Sequence, residues 1–156
     1  MEPASLIASI GKAAGICLTL CSRLKEISEA FISAKDILIL LSKECEHTVG
    51  TLNHTEKLIS EKSELLSYSI SGREVGNSLD AIVGDIRQTV DYVQIEISML
   101  GGKGNKVPAQ LLYLVNAKGL NSVVQRLRDQ RSSVQFQINC IQTYFSPRIS
   151  IVGLPY

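Results

Sequence analysis

The chain has 156 residues, 45% of them apolar and 20% charged, with a formal net charge of +1. That length fits one domain. The composition excludes a disordered chain, and the near-neutral charge offers no global field that would announce nucleic acid.

Taken in chain order, the first predicted helix runs from about Ala4 to Leu24. Pro3 suits an early helical position, where its missing N–H costs nothing. Between Ala4 and Ser22 the single charge is Lys12, and Leu6, Ile7, Ile10, Ala13, Ala14, Ile16, Cys17, Leu18, Leu20 and Cys21 cover every direction. A helix apolar all round is expected to be buried, either inside a bundle or in lipid. Gly11 and Gly15 form a small-xxx-small spacing that permits close helix contact. Glu2 stands where a secretory signal would carry a basic residue. No other segment approaches the roughly 20 apolar residues of a membrane span.

A second helix is predicted from near Glu26. Its apolar positions Ile27, Phe31, Ala34, Leu38, Leu41, Cys45, Val49 and Leu52 follow steps of three and four, the helical period. The pattern continues through Leu58, Ile59, Leu65 and Leu66. One helix of that length would span about 60 Å, with Gly50 or Asn53 as the expected bend. The run Ser67–Gly72 reads as a loop. The third helix is predicted over about Glu74–Leu100, on the stripe Val75, Leu79, Ile82, Ile86, Val90, Val93, Ile97 and Leu100. Gly101-Gly102-Lys103-Gly104-Asn105 stops it. Those glycines follow no strand and lack the Gly-Lys-Ser/Thr ending of a phosphate loop.

A short helix is expected after Pro108, ending at Asn116–Gly119. A last long helix is expected over about Ser122–Phe145, with Asn121 as its cap. Its stripe includes Arg131, read as an edge residue with a packed stem and a solvated head. Ser146-Pro147 breaks it, and residues 146–156 form an apolar tail or linker. The reading is therefore an all-α fold, a four-to-five-helix bundle over residues 1–145 with a hydrophobic N-terminal helix.

The acids mostly stand in i, i+4 relationships with bases, as in Lys57/Glu61 and Arg87/Asp91, and read as solvated ion pairs. Charge is uneven along the chain. Residues 1–66 carry seven basic residues against nine acidic, and residues 102–156 carry seven against Asp129 alone. The simpler reading is attraction between segments across the bundle. The alternative is a basic face for an anionic surface, formed by Lys118, Arg126, Arg128 and Arg131.

No catalytic, metal or cofactor site emerges. His47 and His54 would share a helix face about 10 Å apart, without a tetrahedral ligand set. Cys45 and His47, at i, i+2, point apart. Cys17, Cys21, Cys45 and Cys140 could pair in three ways, but in a chain of this size they read as buried free thiols in a reducing compartment. The arginines of the last helix lack aromatic interleaving or a DNA-binding motif context, so no nucleic-acid partner is expected. The chain is read as a non-enzyme.

The opening Met-Glu-Pro-Ala-Ser-Leu-Ile-Ala-Ser-Ile-Gly-Lys-Ala-Ala-Gly-Ile and the late run Gly119–Phe136 resemble the two ends of the fungal N-terminal domain found on STAND-type (NOD-like) receptors. The resemblance covers about residues 1–145. The middle matches by helical pattern only, and Leu111-Leu112-Tyr113-Leu114 lacks the Trp that many members carry in a short aromatic-rich helix. The resemblance implies a bundle of the HeLo/HeLo-like superfamily, whose members act in programmed cell death and heterokaryon incompatibility. It implies a cytoplasmic signalling domain that self-associates, is joined to C-terminal receptor or repeat domains, and relocates to the plasma membrane on activation. There the N-terminal helix, with Leu6, Ile7, Ile10, Gly11, Gly15, Ile16, Leu18 and Leu20, would enter membranes containing anionic lipids. The alternative is a soluble helical adaptor or oligomerisation module, in which the same helix is simply the central core helix.

Overall fold

The computed structural model describes residues 2–30, 32, 35–100 and 109–144, with the side chains of 2–30, 32, 35–98 and 119–143. The described residues form five helices and no strand: α1 (Pro3–Ala30), α2 (Lys35–Glu61), α3 (Ser63–Tyr68), α4 (Ile70–Leu100) and α5 (Ala109–Tyr144). The all-α reading holds, with an apolar N-terminal helix. The glycine-rich run 101–105 and the tail 146–156 lie outside the described residues.

Several boundaries differ from the sequence reading. α1 continues to Ala30, so Ile27 belongs to it and not to the second helix. The periodic pattern ran through the junction because the apolar spacing at the end of α1 happens to be in phase with that of α2. α2 stays helical through Gly50 and Asn53. An exposed glycine costs a helix only about 1 kcal/mol, and packing on both sides of it outweighs that. The irregularity falls instead at Lys62, where φ is −109° and ψ 17°. Even there the helical hydrogen bonds Lys62 N–Leu58 O and Leu66 N–Lys62 O persist.

The expected loop at 67–72 is a one-residue corner. Ser69 is extended, with φ −107° and ψ 148°. Its hydroxyl donates to Leu65 O at 3.2 Å and accepts from Gly72 N at 2.8 Å. One side chain thus ends α3 and caps α4. The turn is tight enough that a Cβ on Gly72 would meet Leu66 Cα at 2.7 Å and Leu66 O at 2.8 Å. The two helices expected after Pro108 are one, α5, which passes through 116–119 without a break.

α1, α2, α5 and α4 form a four-sided ring in which each packs on its two neighbours. Among the described residues, α1 and α5 stand across one diagonal of the ring, and α2 and α4 across the other. The short α3 carries the chain across that diagonal. Gly76 of α4 lies against Leu6, and Arg87–Gln94 lie along Lys12–Thr19, so α1 and α4 run the same way. α5 runs opposite to α4, with Val123 near Ile97 and Cys140 near Val75.

The centre is filled with aliphatic side chains. Leu6, Ile10, Leu20 and Leu24 come from α1, Leu38, Leu41, Leu52 and Ile59 from α2, Leu79, Ile86 and Val90 from α4, and Leu127, Val134 and Ile138 from α5. Each large side chain buried this way stabilises the fold by about 1.5–3 kcal/mol. Every helix supplies one such face, which is why none stands at the centre.

Candidate functional site

α1 is the longest apolar stretch in the chain. It is long and apolar enough to cross a membrane by length and composition, with a mean hydropathy of 1.7 over its most apolar 18 residues. The structure corrects the expectation that it is buried all round. Only 39% of that window is buried. Leu6, Ile10, Ala13, Ala14, Cys17, Leu20, Cys21 and Leu24 face inward. Ala4, Ala8, Gly11, Lys12, Gly15, Leu18, Thr19 and Ser22 face outward. α1 is therefore not a central helix either. It is one wall of the ring, and between Ala4 and Ser22 its outer surface is charged only at Lys12.

The eight residues singled out for this helix divide accordingly. Leu6, Ile10 and Leu20 are core, and Ile7 and Ile16 are partly buried against it. Gly11 and Gly15 are exposed, with open space where a side chain would stand. Leu18 is 56% exposed. Sequence periodicity could not sort them, because small and apolar residues occupy both faces.

The two seams of α1 are unequal. Against α2, Ser42 Oγ lies 3.2 Å from Cys21 Sγ and donates to Cys21 O, and Cys21 Sγ donates to Glu46 Oε1 at 3.6 Å. Lys25 Nζ pairs with the same Glu46 oxygen at 2.5 Å. Against α4 the middle of α1 is less closely joined. An open groove of about 540 Å³ runs there instead, lined by Lys12, Gly15, Ile16, Thr19, Arg87, Asp91 and Gln94.

Two basic residues of α5, Arg128 and Arg131, follow the simpler of the two readings and pair across the bundle. Glu44, buried on α2, accepts from Arg128 Nε at 2.8 Å and from Arg131 Nη1 at 2.6 Å. Burial works to raise the Glu44 pKa, but the bonds from Arg128 and Arg131 outweigh it and hold the carboxyl below its usual range. Arg131 therefore keeps its head on a carboxylate, not in water. Arg126 is exposed, and the Lys118 side chain lies outside the described residues. Sequence reasoning missed Glu44. Its signal was an acid in register with Leu41, Cys45 and Thr48 on the inner face of α2, opposite an arginine in the stripe of α5.

The expected pairs Lys57/Glu61 and Arg87/Asp91 do not form, although all four side chains are described. Cys17, Cys21 and Cys45 are buried and Cys140 is partly so, and all four are free thiols. Burial pushes the Cys45 thiol pKa far up. His47 and His54 are exposed, and among the described residues no cluster of His, Cys, Asp and Glu could hold a metal ion. Compared with known protein families, with curated proteins and with solved structures, the chain matches none.

Proposed function

We propose that this chain is a signalling domain that acts on membranes through α1, as the N-terminal part of a STAND-type receptor of the kind its two ends resemble. The observation that carries the reading is the mismatch in α1. Between Ala4 and Ser22 the helix carries one charge and is apolar enough to enter a membrane, yet protein covers only its inner face. Moving it from the bundle to lipid keeps its inner face out of water and adds burial of Ala4, Ala8 and Leu18. Moving it to water would forfeit the burial of Leu6, Ile10, Leu20 and Leu24 with no return. Lys12 opposes insertion by about 2.5–3.5 kcal/mol. Clustering of copies, driven by receptor regions beyond this domain, offsets that penalty by pairing or hydrating the lysine, and takes a resting cytoplasmic protein to the plasma membrane.

The competing reading is a soluble adaptor that keeps α1 in place and uses its outer face for contact. It is favoured by the nine buried residues that α1 contributes.

Dye leakage from vesicles containing anionic lipid separates the two. Leu18→Lys alters only the outer face, so the resting fold is retained and leakage is expected to fall. Ser42→Cys, oxidised onto Cys21, ties α1 to α2 and is expected to abolish leakage until reduced. In the same samples the Cys45 thiol, covered at rest, becomes reactive only when α1 departs. Equal leakage from the wild type and Leu18→Lys, or none from either, overturns the membrane reading and leaves the adaptor.

A further inference from the structure

The groove between α1 and α4 holds three charges that the fold does not use. Lys12, Arg87 and Asp91 all line it, and none makes a hydrogen bond or ion pair among the described residues. Arg87 and Asp91 are one helical turn apart on α4, a spacing at which such pairs commonly meet. Here they remain separate. Arg87 is half-buried, its stem laid into the seam, and its Nε is covered and has no acceptor. An orphaned donor of this kind is costly unless something supplies the missing acceptor. The groove continues past Asp91 and Gln94 to Ile95 and Ser98, and Ile95 is 60% exposed.

We propose that this groove binds a phosphate ester carrying an ammonium group, the chemistry of an ethanolamine phosphate. Arg87 offers a planar fork suited to two phosphate oxygens, and Lys12 adds a second positive charge from the facing helix. A side-chain turn that brings the Arg87 Nε to the ligand ends its lack of an acceptor. Gly15 leaves open space on α1, so a phosphate can approach that wall closely. Thr19 already donates its hydroxyl hydrogen to Gly15 O at 3.0 Å, which leaves its oxygen as an acceptor. Asp91, one turn from Arg87, accepts from the ammonium. A quaternary amine has no N–H to donate to Asp91, so choline phosphate is the poorer ligand. Two cations and one carboxylate leave the groove at +1, matched to a phosphate monoester whose charge is partly cancelled by its own amine. The ester can be a free monoester or the diester of a lipid headgroup, which carries less negative charge but presents the same phosphate and ammonium groups. Only the lipid source rests on the membrane reading above.

The test is titration of the full ¹⁵N-labelled chain with phosphoethanolamine, phosphocholine and inorganic phosphate. Phosphoethanolamine is expected to shift the Gly15, Thr19 and Gln94 amide signals saturably. Arg87→Gln is expected to weaken binding about tenfold or more, the loss of a hydrogen bond to a charged partner. Asp91→Asn is expected to erase the preference over phosphocholine while phosphate still binds. Lys12→Gln, a change at an exposed position, is expected to weaken binding and keeps the test valid if Arg87→Gln does not fold. No saturable shift overturns the proposal. So does equal affinity for the ethanolamine and choline esters, or full affinity in the Arg87 and Lys12 variants. Sedimentation with phosphatidylcholine vesicles, with and without phosphatidylethanolamine, then identifies the source. Retention that free phosphoethanolamine competes away assigns the lipid, and binding of the soluble ester alone assigns the small molecule. Headgroup binding without dye leakage would sustain this site and reject the insertion of α1.

Discussion

Arg131 Nη1 donates to Glu44 Oε2 at 2.6 Å, joining α5 to α2 across 87 residues of chain. Arg128 closes on the other oxygen of the same carboxylate. The Glu44 side chain is 6% exposed, whereas Arg128 and Arg131 are 45% and 25% exposed. This asymmetry predicts an order of stabilities. Removing both arginines as Arg128→Ala/Arg131→Ala strands a buried carboxylate and should cost about 3–5 kcal/mol. Glu44→Ala releases two arginines that reach water and should cost less, about 1–3 kcal/mol. Urea unfolding measures both, and the reverse order would refute the clasp.

The same carboxylate sets an acid limit. Its folded pKa lies below the unfolded value of about 4.3, so the folded state favours the charged form. The stabilisation is complete above the unfolded pKa and is lost as pH falls through the folded one. The urea midpoint of the wild type should therefore be nearly flat from neutrality to about pH 5 and fall below it. The gap between wild type and Glu44→Gln should narrow over the same acid range. A gap that stays constant from pH 7 to pH 3 would contradict this assignment.

Gly72 and Gly50 should respond oppositely to alanine. At Gly72 the new Cβ meets the backbone of Leu66, which cannot yield without opening the α3–α4 corner. A loss of about 1–3 kcal/mol is expected. At Gly50 nothing lies within 4 Å of the new Cβ, and Gly50→Ala should gain up to about 1 kcal/mol from helix propensity. Thermal unfolding followed by circular dichroism reads both signs.

The two faces of α1 should differ in the same way. Leu18→Lys, on the outer face, should change stability by no more than about 0.5 kcal/mol. Leu20→Ala, on the inner face, should cost about 2–5 kcal/mol. Equal effects at the two positions would mean that α1 is covered on both sides in solution, as it would be in a stable oligomer.

Buried and exposed thiols should label in a set order. Cys140, partly exposed on α5, should react with an alkylating reagent in the native protein well before Cys45, which is buried and whose thiolate is disfavoured by that burial. Peptide mass spectrometry after timed quenching distinguishes them. Early labelling of Cys45 at rest would show that α1 already leaves α2.

The sequence by itself determined the class of the fold and most of its inner faces. Steps of three and four on α2, α4 and α5 mark which residues meet a core, because helical geometry returns a side chain to the same side at that interval. Leu38, Leu41, Leu79 and Ile86 were legible on those grounds. Tertiary structure alone decided three things. It decided which face of α1 is buried, since a helix apolar all round has no periodicity to read, and only the positions of α2 and α4 select Ile10 over Leu18. It decided the corner at Ser69, where a capping hydroxyl and a glycine without space for a Cβ replace the loop that local composition favours. It also decided the fate of the charges. Spacing along one helix paired Arg87 with Asp91, but the fold leaves both unmet beside Lys12 and sends Arg131 across the bundle to Glu44. Ion pairing depends on distances between helices, and those exist only once the ring has closed.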